Sequence, residues 1–189
     1  MPYSDQKKGM LLAFTAIMFI TPDSLFIRLA NLSSWNLIFY RGFIPFSVVL
    51  VGLLIIYKTK FISQLIENGW HGIAYAGVFT ITNIFFVISI ENTNVANTLI
   101  MIALAPMLSA VISFIFLKEN TDQKTWFAIT ITTLAVIYIF NDSFERGDVL
   151  GNFLGLICAT GLAVGAVIIR SAKKISLVPS AMMGKLLVT

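Results

Sequence analysis

The chain has 189 residues, 58% of them hydrophobic and 12% charged, with a formal net charge of +4. Soluble domains carry about 25% charged residues, so this composition and a mean hydropathy of +0.89 exclude an ordinary water-soluble globule. Nor does the positive balance read as nucleic-acid binding, because the basic residues sit in short gaps between apolar runs and form no stripe with interleaved aromatics.

A hydrocarbon core about 30 Å thick needs roughly 20 apolar residues for each helical crossing. Six runs meet that requirement, at about 9–29, 35–57, 72–90, 95–117, 125–140 and 150–169. A seventh begins near Leu177 and reaches Thr189 after 13 residues, too few to cross. The expected fold is therefore an all-α polytopic membrane helix bundle, and the chain reads as a fragment of a longer protein. The gaps at 31–34, 58–70, 91–94, 118–124, 141–148 and 170–176 are short and polar, which makes consecutive helices antiparallel neighbours. Trp35, Trp70 and Trp126 fall at run ends and read as anchors in the two interfaces.

Lys and Arg accumulate on the cytoplasmic side of membrane proteins. With the amino end inside, Lys7, Lys8, Lys58, Lys60, Lys118, Lys124, Arg170, Lys173 and Lys174 all fall in cytoplasmic segments, against Arg28 and Arg146 outside. Arg41 and Lys185 lie in apolar runs. The first run is too long for a signal-peptide core and has no small-residue cleavage site after it. The solitary Cys158 offers neither a disulfide nor a Cys-based metal site, and no phosphate-binding loop or cofactor motif occurs.

Residues 9–42 and 151–184 read as one unit written twice, 142 positions apart. Gly9 aligns with Gly151, Leu12 with Leu154, Arg28 with Arg170, Ala30 with Ala172, Ser34 with Ser176 and Gly42 with Gly184. In both copies a Gly opens an apolar run and an Arg closes it after 18 intervening residues. Five crossings separate the copies, and an odd number inverts the second. The expected organisation is a five-helix repeat over 1–142, followed over 143–189 by the sixth helix and part of the seventh, the start of a truncated inverted repeat. Inverted repeats are a hallmark of secondary transporters, whose substrate site lies between the halves near the midplane.

Several short motifs follow in order. Tyr40-Arg41-Gly42 lies in the second run, and Glu91-Asn92-Thr93-Asn94-Val95-Ala96 turns into the fourth. Ala105-Pro106 sits within the fourth run and Leu117-Lys118-Glu119 at its end. Together these resemble the EamA-type family of the drug/metabolite transporter superfamily, over essentially the whole chain. Lys118 departs from the family's Leu-Gly-Glu pattern, and the fifth run lacks the glycines usual there. The resemblance implies ten helices in two inverted halves, moving metabolites, amino acids or drugs across a bacterial inner membrane. It names no single substrate.

Charges inside apolar runs cost about 2.5–3.5 kcal/mol each on the insertion scale, so each needs a reason. Asp23 and Arg41 are almost equidistant from the turn between the first two runs. In an antiparallel hairpin both then lie on the order of 13 Å below that turn at 1.5 Å per residue. They are the candidate substrate or coupling residues, together with Asn83 in the third run. Arg41 would hold an anionic group, and Asp23 would release a proton to drive transport. The competing reading is a structural ion pair that never meets substrate. Pro22 and Pro106 free the carbonyls of Met18 and Ile102 and can kink their helices beside a cavity. Asn97 reads as a packing residue, and Glu119 as a structural one tying the internal loop. Ser109 and Ser113, with Ala105, and Gly161 with Gly165 form small-residue rows that let backbones approach closely. They meet another helix of this chain, the simpler expectation, or a second subunit of a homodimer.

The expected function is secondary transport of a small molecule by alternating access. A membrane-embedded enzyme would want clustered carboxylates or histidines, whereas His71 is the sole histidine. A purely structural membrane subunit would carry no charge at mid-depth, and Asp23 and Arg41 argue against it. No catalytic or metal-ligating residue is expected.

Overall fold

The computed structural model describes residues 8–12, 14–15, 18, 22–57, 63, 66–118, 122–146, 148–172 and 176–189, with side chains at all of these except 24, 28, 57 and 142–146. Among the described residues there are helices and no strand. In chain order we label them α1 (Asp23–Leu29), α2 (Ser34–Tyr57), α3 (Gly69–Asn92), α4 (Val95–Ile102), α5 (Ala105–Leu117), α6 (Gln123–Arg146), α7 (Val149–Ser171) and α8 (Val178–Leu187). Five described stretches are long and apolar enough to cross a membrane: Ser34–Ile56, Gly69–Asn92, Val95–Leu117, Gln123–Asn141 and Val149–Ser171. They are the second to sixth runs of the sequence. The first run includes residues outside the described set; its stretches 8–12 and Asp23–Leu29 are helical.

The chain divides into two units, Met1–Ser33 and Ser34–Thr189. In the first, Pro22 precedes α1 with helical dihedrals, and its carbonyl accepts from the Leu25 and Phe26 amides at 3.1 and 3.0 Å. A proline fits there because the amide it lacks would be unsatisfied anyway. Asn31, at φ 46°, adopts the left-handed conformation beyond the last turn, a role Asn tolerates better than most residues.

The second unit is organised around α3 and α7, which run antiparallel. On α3 the contact residues Tyr75, Thr82 and Ser89 recur every seven positions. On α7 they meet Gly165, Gly161 and Gly155 in reverse order. A Cβ on Gly161 would come 2.2 Å from Thr82 Oγ1, and one on Gly151 would come 2.5 Å from the Asn92 backbone. Only glycine lets the two helices approach so closely. Cys158, Ala159 and Ala163 fill the remaining α7 face and are almost fully buried. Lipid tails are as apolar as leucine, so this interface is held by close packing rather than by exclusion of water.

A run of buried hydroxyls and amides closes one end of that contact. Ser89 Oγ donates to the Gly151 carbonyl at 2.7 Å and lies 2.9 Å from Thr98 Oγ1. Thr93 Oγ1 donates to Asn152 Oδ1 at 2.9 Å. Hydrocarbon offers no water to satisfy such groups, so they pair with one another.

Two boundaries differ from those the sequence predicts. The gap expected at 141–148 is shorter, because α6 continues to Arg146; polar residues there extend the helix beyond its apolar part. The fourth run is not one helix but α4 and α5, joined by a tight turn at Ala103–Leu104 in which the Leu104 amide donates to Met101 O at 3.1 Å. Pro106 stands in the first turn of α5 and has no amide to give the Ile102 carbonyl. At the far end, Lys118 takes left-handed dihedrals (φ 53°, ψ 32°) and its amide donates to Ser113 O. That is the position where the resembling family places glycine, the residue with no steric penalty there.

Gly161→Leu is expected to lower the thermal midpoint of the detergent-solubilised protein, at a cost of about 1–3 kcal/mol from overpacking. Gly52→Ala, at a position with open space around it, should instead leave it unchanged or stabilise by up to about 1 kcal/mol.

Candidate functional site

The α8-facing side of α3 carries a second set of contacts, through Asn68 just before the helix and residues 72, 76, 80 and 83 along it, about one to each turn. Asn68 Nδ2 donates to Ser180 Oγ at 2.8 Å and to Ser176 O at 3.0 Å. Thr80 Oγ1 lies 3.0 Å from the Gly184 carbonyl and donates at 2.8 Å to Ala76 O. Lys185 Nζ donates to Asn83 Oδ1 at 2.5 Å. Numbers rise together on both helices, so α8 runs parallel to α3. Glycines again set the spacing: a Cβ on Gly72 would lie 2.6 Å from Ser180 Oγ, and one on Gly184 2.9 Å from Ala76 O.

The seam ends at two cation–ring contacts. The Lys185 ammonium lies 5.2 Å from the centre of the Phe79 ring, and the Arg41 guanidinium 4.9 Å from that of Phe86. Such cation–ring contacts are worth about 0.5–2 kcal/mol, more as water is excluded. Asn83 stands between the two rings on α3, with its Nδ2 donating to Phe79 O at 2.7 Å. Gly42 brings α2 and α8 together, since a Cβ there would come 2.8 Å from the Lys185 carbonyl. Pro45, inside α2, has no amide to offer the Arg41 carbonyl four residues earlier. Arg41 and Asn83 are both half-buried.

Depth follows from helix register. Ser34 Oγ donates to the Glu91 carboxylate, so the start of α2 and the end of α3 are level. Arg41 lies seven residues into α2, about 10 Å along its axis, and Asn83 lies nine residues before Asn92, about 14 Å. The cluster therefore sits well inside the apolar length of the bundle, between its end and its middle.

The other residues singled out in the sequence fall elsewhere. Asp23 opens α1, in the first unit, and its pairing with Arg41 remains an expectation from hairpin geometry. Pro22 precedes it. Pro106 lines a cleft of about 400 Å³ between α5 and α6, with Ala103, Met107, Lys124 and Thr132 among its walls; that lining shares no residue with the cationic cluster. Asn97 Nδ2 donates to Thr93 Oγ1 at 3.4 Å. Ser109 and Ser113 are buried, and Ser113 accepts from Arg170 Nη1 of α7 at 3.3 Å. Gly161 and Gly165 face α3, so both small-residue rows have partners within the chain. Glu119 lies outside the described residues. Sequence reasoning missed Lys185, Phe79, Phe86 and Pro45. A signal for Lys185 existed: it adjoins Gly184, the repeat counterpart of the Gly42 that adjoins Arg41.

A double-mutant cycle on Asn83→Ala and Lys185→Met should return a coupling of about 1–2 kcal/mol in thermal melts, since each single change removes one partner of a charged hydrogen bond away from water. Strict additivity would mean that the two side chains do not meet.

The comparisons with known proteins agree with this architecture. The family model for the EamA-like transporter family matches residues 7–141. No curated protein and no solved structure matches the chain. The matched stretch spans the first four membrane-length helices named above and carries Arg41, Phe79, Asn83 and Phe86 of the cluster. The protein is a multi-pass integral membrane protein, and it belongs to the EamA-like transporter family of the drug/metabolite transporter superfamily.

Proposed function

We propose that the protein is a secondary transporter that moves a small organic molecule across a bacterial inner membrane by alternating access, with its amino terminus in the cytoplasm. The observation that carries this reading is the cluster of Arg41, Asn83 and Lys185 within the apolar length of the bundle. Charged and amide groups at that depth are costly, and in membrane proteins they mark substrate and ion pathways. A scaffold has no need of them.

The repeat adds support. Gly42 on α2 and Gly184 on α8 are counterparts under the 142-residue offset, and α2 and α8 touch at Gly42 through the Lys185 carbonyl. Counterpart helices meeting is what a pseudo-two-fold axis in the membrane plane produces, and transporters of this architecture bind substrate close to that axis. In this reading residues 1–142 are the first repeat and 143–189 open the inverted second. The excess of Lys and Arg in the alternate gaps supports the orientation.

Asp23 supplies the coupling. Its carboxylate, a charge within an apolar run, would release a proton on one side of the membrane and regain it on the other. The turn at Ala103–Leu104 and the missing bond at Pro106 give the fourth crossing a point of flexure, where a wall of the cavity can move.

In proteoliposomes, Arg41→Gln is expected to lower substrate flux at least about tenfold, the loss of one charge-assisted contact. Asp23→Asn should abolish the dependence of flux on a pH gradient. Wild-type flux and pH dependence in both variants would remove these residues from the transport path.

A further inference from the structure

We infer that the cavity between α3 and α7 receives an aromatic ring of the cargo, so that the substrate is a small aryl compound whose polar substituent meets Asn83 and Lys185. This rests on the transporter reading and adds the kind of molecule that is moved. The cavity holds about 190 Å³, with Tyr75, Phe79 and Thr82 of α3 and Gly161, Leu162 and Gly165 of α7 among its walls. An apolar cavity of about 150 Å³ is enough for benzene, so one substituted ring fits.

Helix register places this cavity beside the polar cluster. On α3, residues 75, 82 and 89 meet α7, and residues 72, 76, 80 and 83 meet α8. At about 100° per residue, Phe79 and Phe86 fall between those two sectors, on the strip that faces the space between α7 and α8. Phe79 is common to both features. Its ring lines the cavity, and the Lys185 ammonium stands 5.2 Å from the ring centre. Asn83 follows Thr82 directly, and its Oδ1 accepts from Lys185 Nζ. A single side chain therefore joins the apolar cavity to the amide and the ammonium. Tyr75 and Phe79 stack at 5.8 Å between centroids and 20° between planes, which gives the cavity a continuous aromatic wall. A third ring against that pair gains about three- to tenfold in affinity from ring–ring attraction, and a saturated ring does not. Tyr75 and Thr82 lie six and thirteen residues into α3, about 9 and 20 Å along its axis. A lipid chain is the competing apolar occupant, but it carries no polar group at the depth where Asn83 and Lys185 lie.

The test pairs flat rings with saturated ones under three polar groups: benzamide with cyclohexanecarboxamide, benzoate with cyclohexanecarboxylate, and benzylamine with cyclohexylmethylamine. Each is titrated against the purified protein, read by thermal midpoint, and then offered to proteoliposomes made of phosphatidylcholine alone. For at least one polar group the aryl member is expected to raise the midpoint and enter the vesicles, with its saturated counterpart about three- to tenfold weaker. Gly165→Leu, which fills the cavity, should abolish that response. Tyr75→Leu removes aromatic wall without narrowing the space, and should erase the preference for the aryl member. Each variant is referred to its own unliganded midpoint, so a change in folding stability does not mimic a change in binding. Equal binding within every pair, no response to any of the six compounds, or an undiminished aryl preference in either variant each overturns the inference. Octanamide bound as tightly as benzamide assigns the cavity to an alkyl chain and refutes the ring. Equal flux of aryl and saturated members overturns the inference too, yet leaves the transporter reading standing. Aryl-selective binding that Tyr75→Leu erases, without flux of any compound, fails the transporter reading instead.

Discussion

Helix α3 cannot leave its polar side chains to the lipid, and the bundle is arranged around that constraint. Asn68, Thr80 and Asn83 project towards α8, and Thr82 and Ser89 towards α7. In water each of these groups would be satisfied by solvent. In hydrocarbon each needs a partner from a neighbouring helix or its own backbone, at a cost of several kcal/mol when it has none. The partners are Ser180, the Gly184 carbonyl, Lys185 and the Gly151 carbonyl, and a shift of either neighbour by one residue would break several bonds at once. Close packing at Gly161 and Gly184 brings the helices near; the hydrogen bonds fix their register.

From that register the site follows. The bond between Asn68 and Ser180 sets where α8 begins along α3, and five residues later Lys185 reaches Asn83. Gly42 lets α2 lie against α8 at the Lys185 carbonyl, and its neighbour Arg41 reaches the Phe86 ring of α3. The stabilities of the individual contacts are modest, since interhelical hydrogen bonds in membranes average about 0.6 kcal/mol. What they provide is position. A transporter needs this distribution of energy, because helices held by many small terms can exchange one arrangement for another.

Much of the architecture was legible in the sequence, because the bilayer demands apolar length and the runs show it directly. The five spans found in the described residues match the second to sixth runs closely. Arg41 and Asn83 stood out for the same reason: a polar residue in an apolar run is conspicuous. Lys185 did not, because its run stops at Thr189 and reads as too short to cross. The split of the fourth crossing at Ala103–Leu104 was half visible, since Pro106 marked the place but not the form of the break. The continuation of α6 to Arg146 was hidden by polar residues that look like a gap. Asn68 and Ser180 were invisible as a pair, lying 112 residues apart in segments with no pattern to connect them. Lys118 was noticed as a departure from the family's glycine, and its left-handed backbone gives that departure a physical meaning.

Helix α8 lies along α3 in the register that sets Lys185 on Asn83. Cross-linking tests it directly. Asn68→Cys and Ser180→Cys, introduced together with Cys158→Ala, place two thiols where Asn68 Cβ and Ser180 Oγ both lie 2.6 Å from the point a Cβ on Gly72 would occupy. Mild oxidation in membranes should join them rapidly and nearly completely, as read by mass spectrometry of the linked peptides, while Asn68→Cys with Leu187→Cys should stay unlinked. An unlinked first pair, or equal linking of both, would contradict the register and the site built on it.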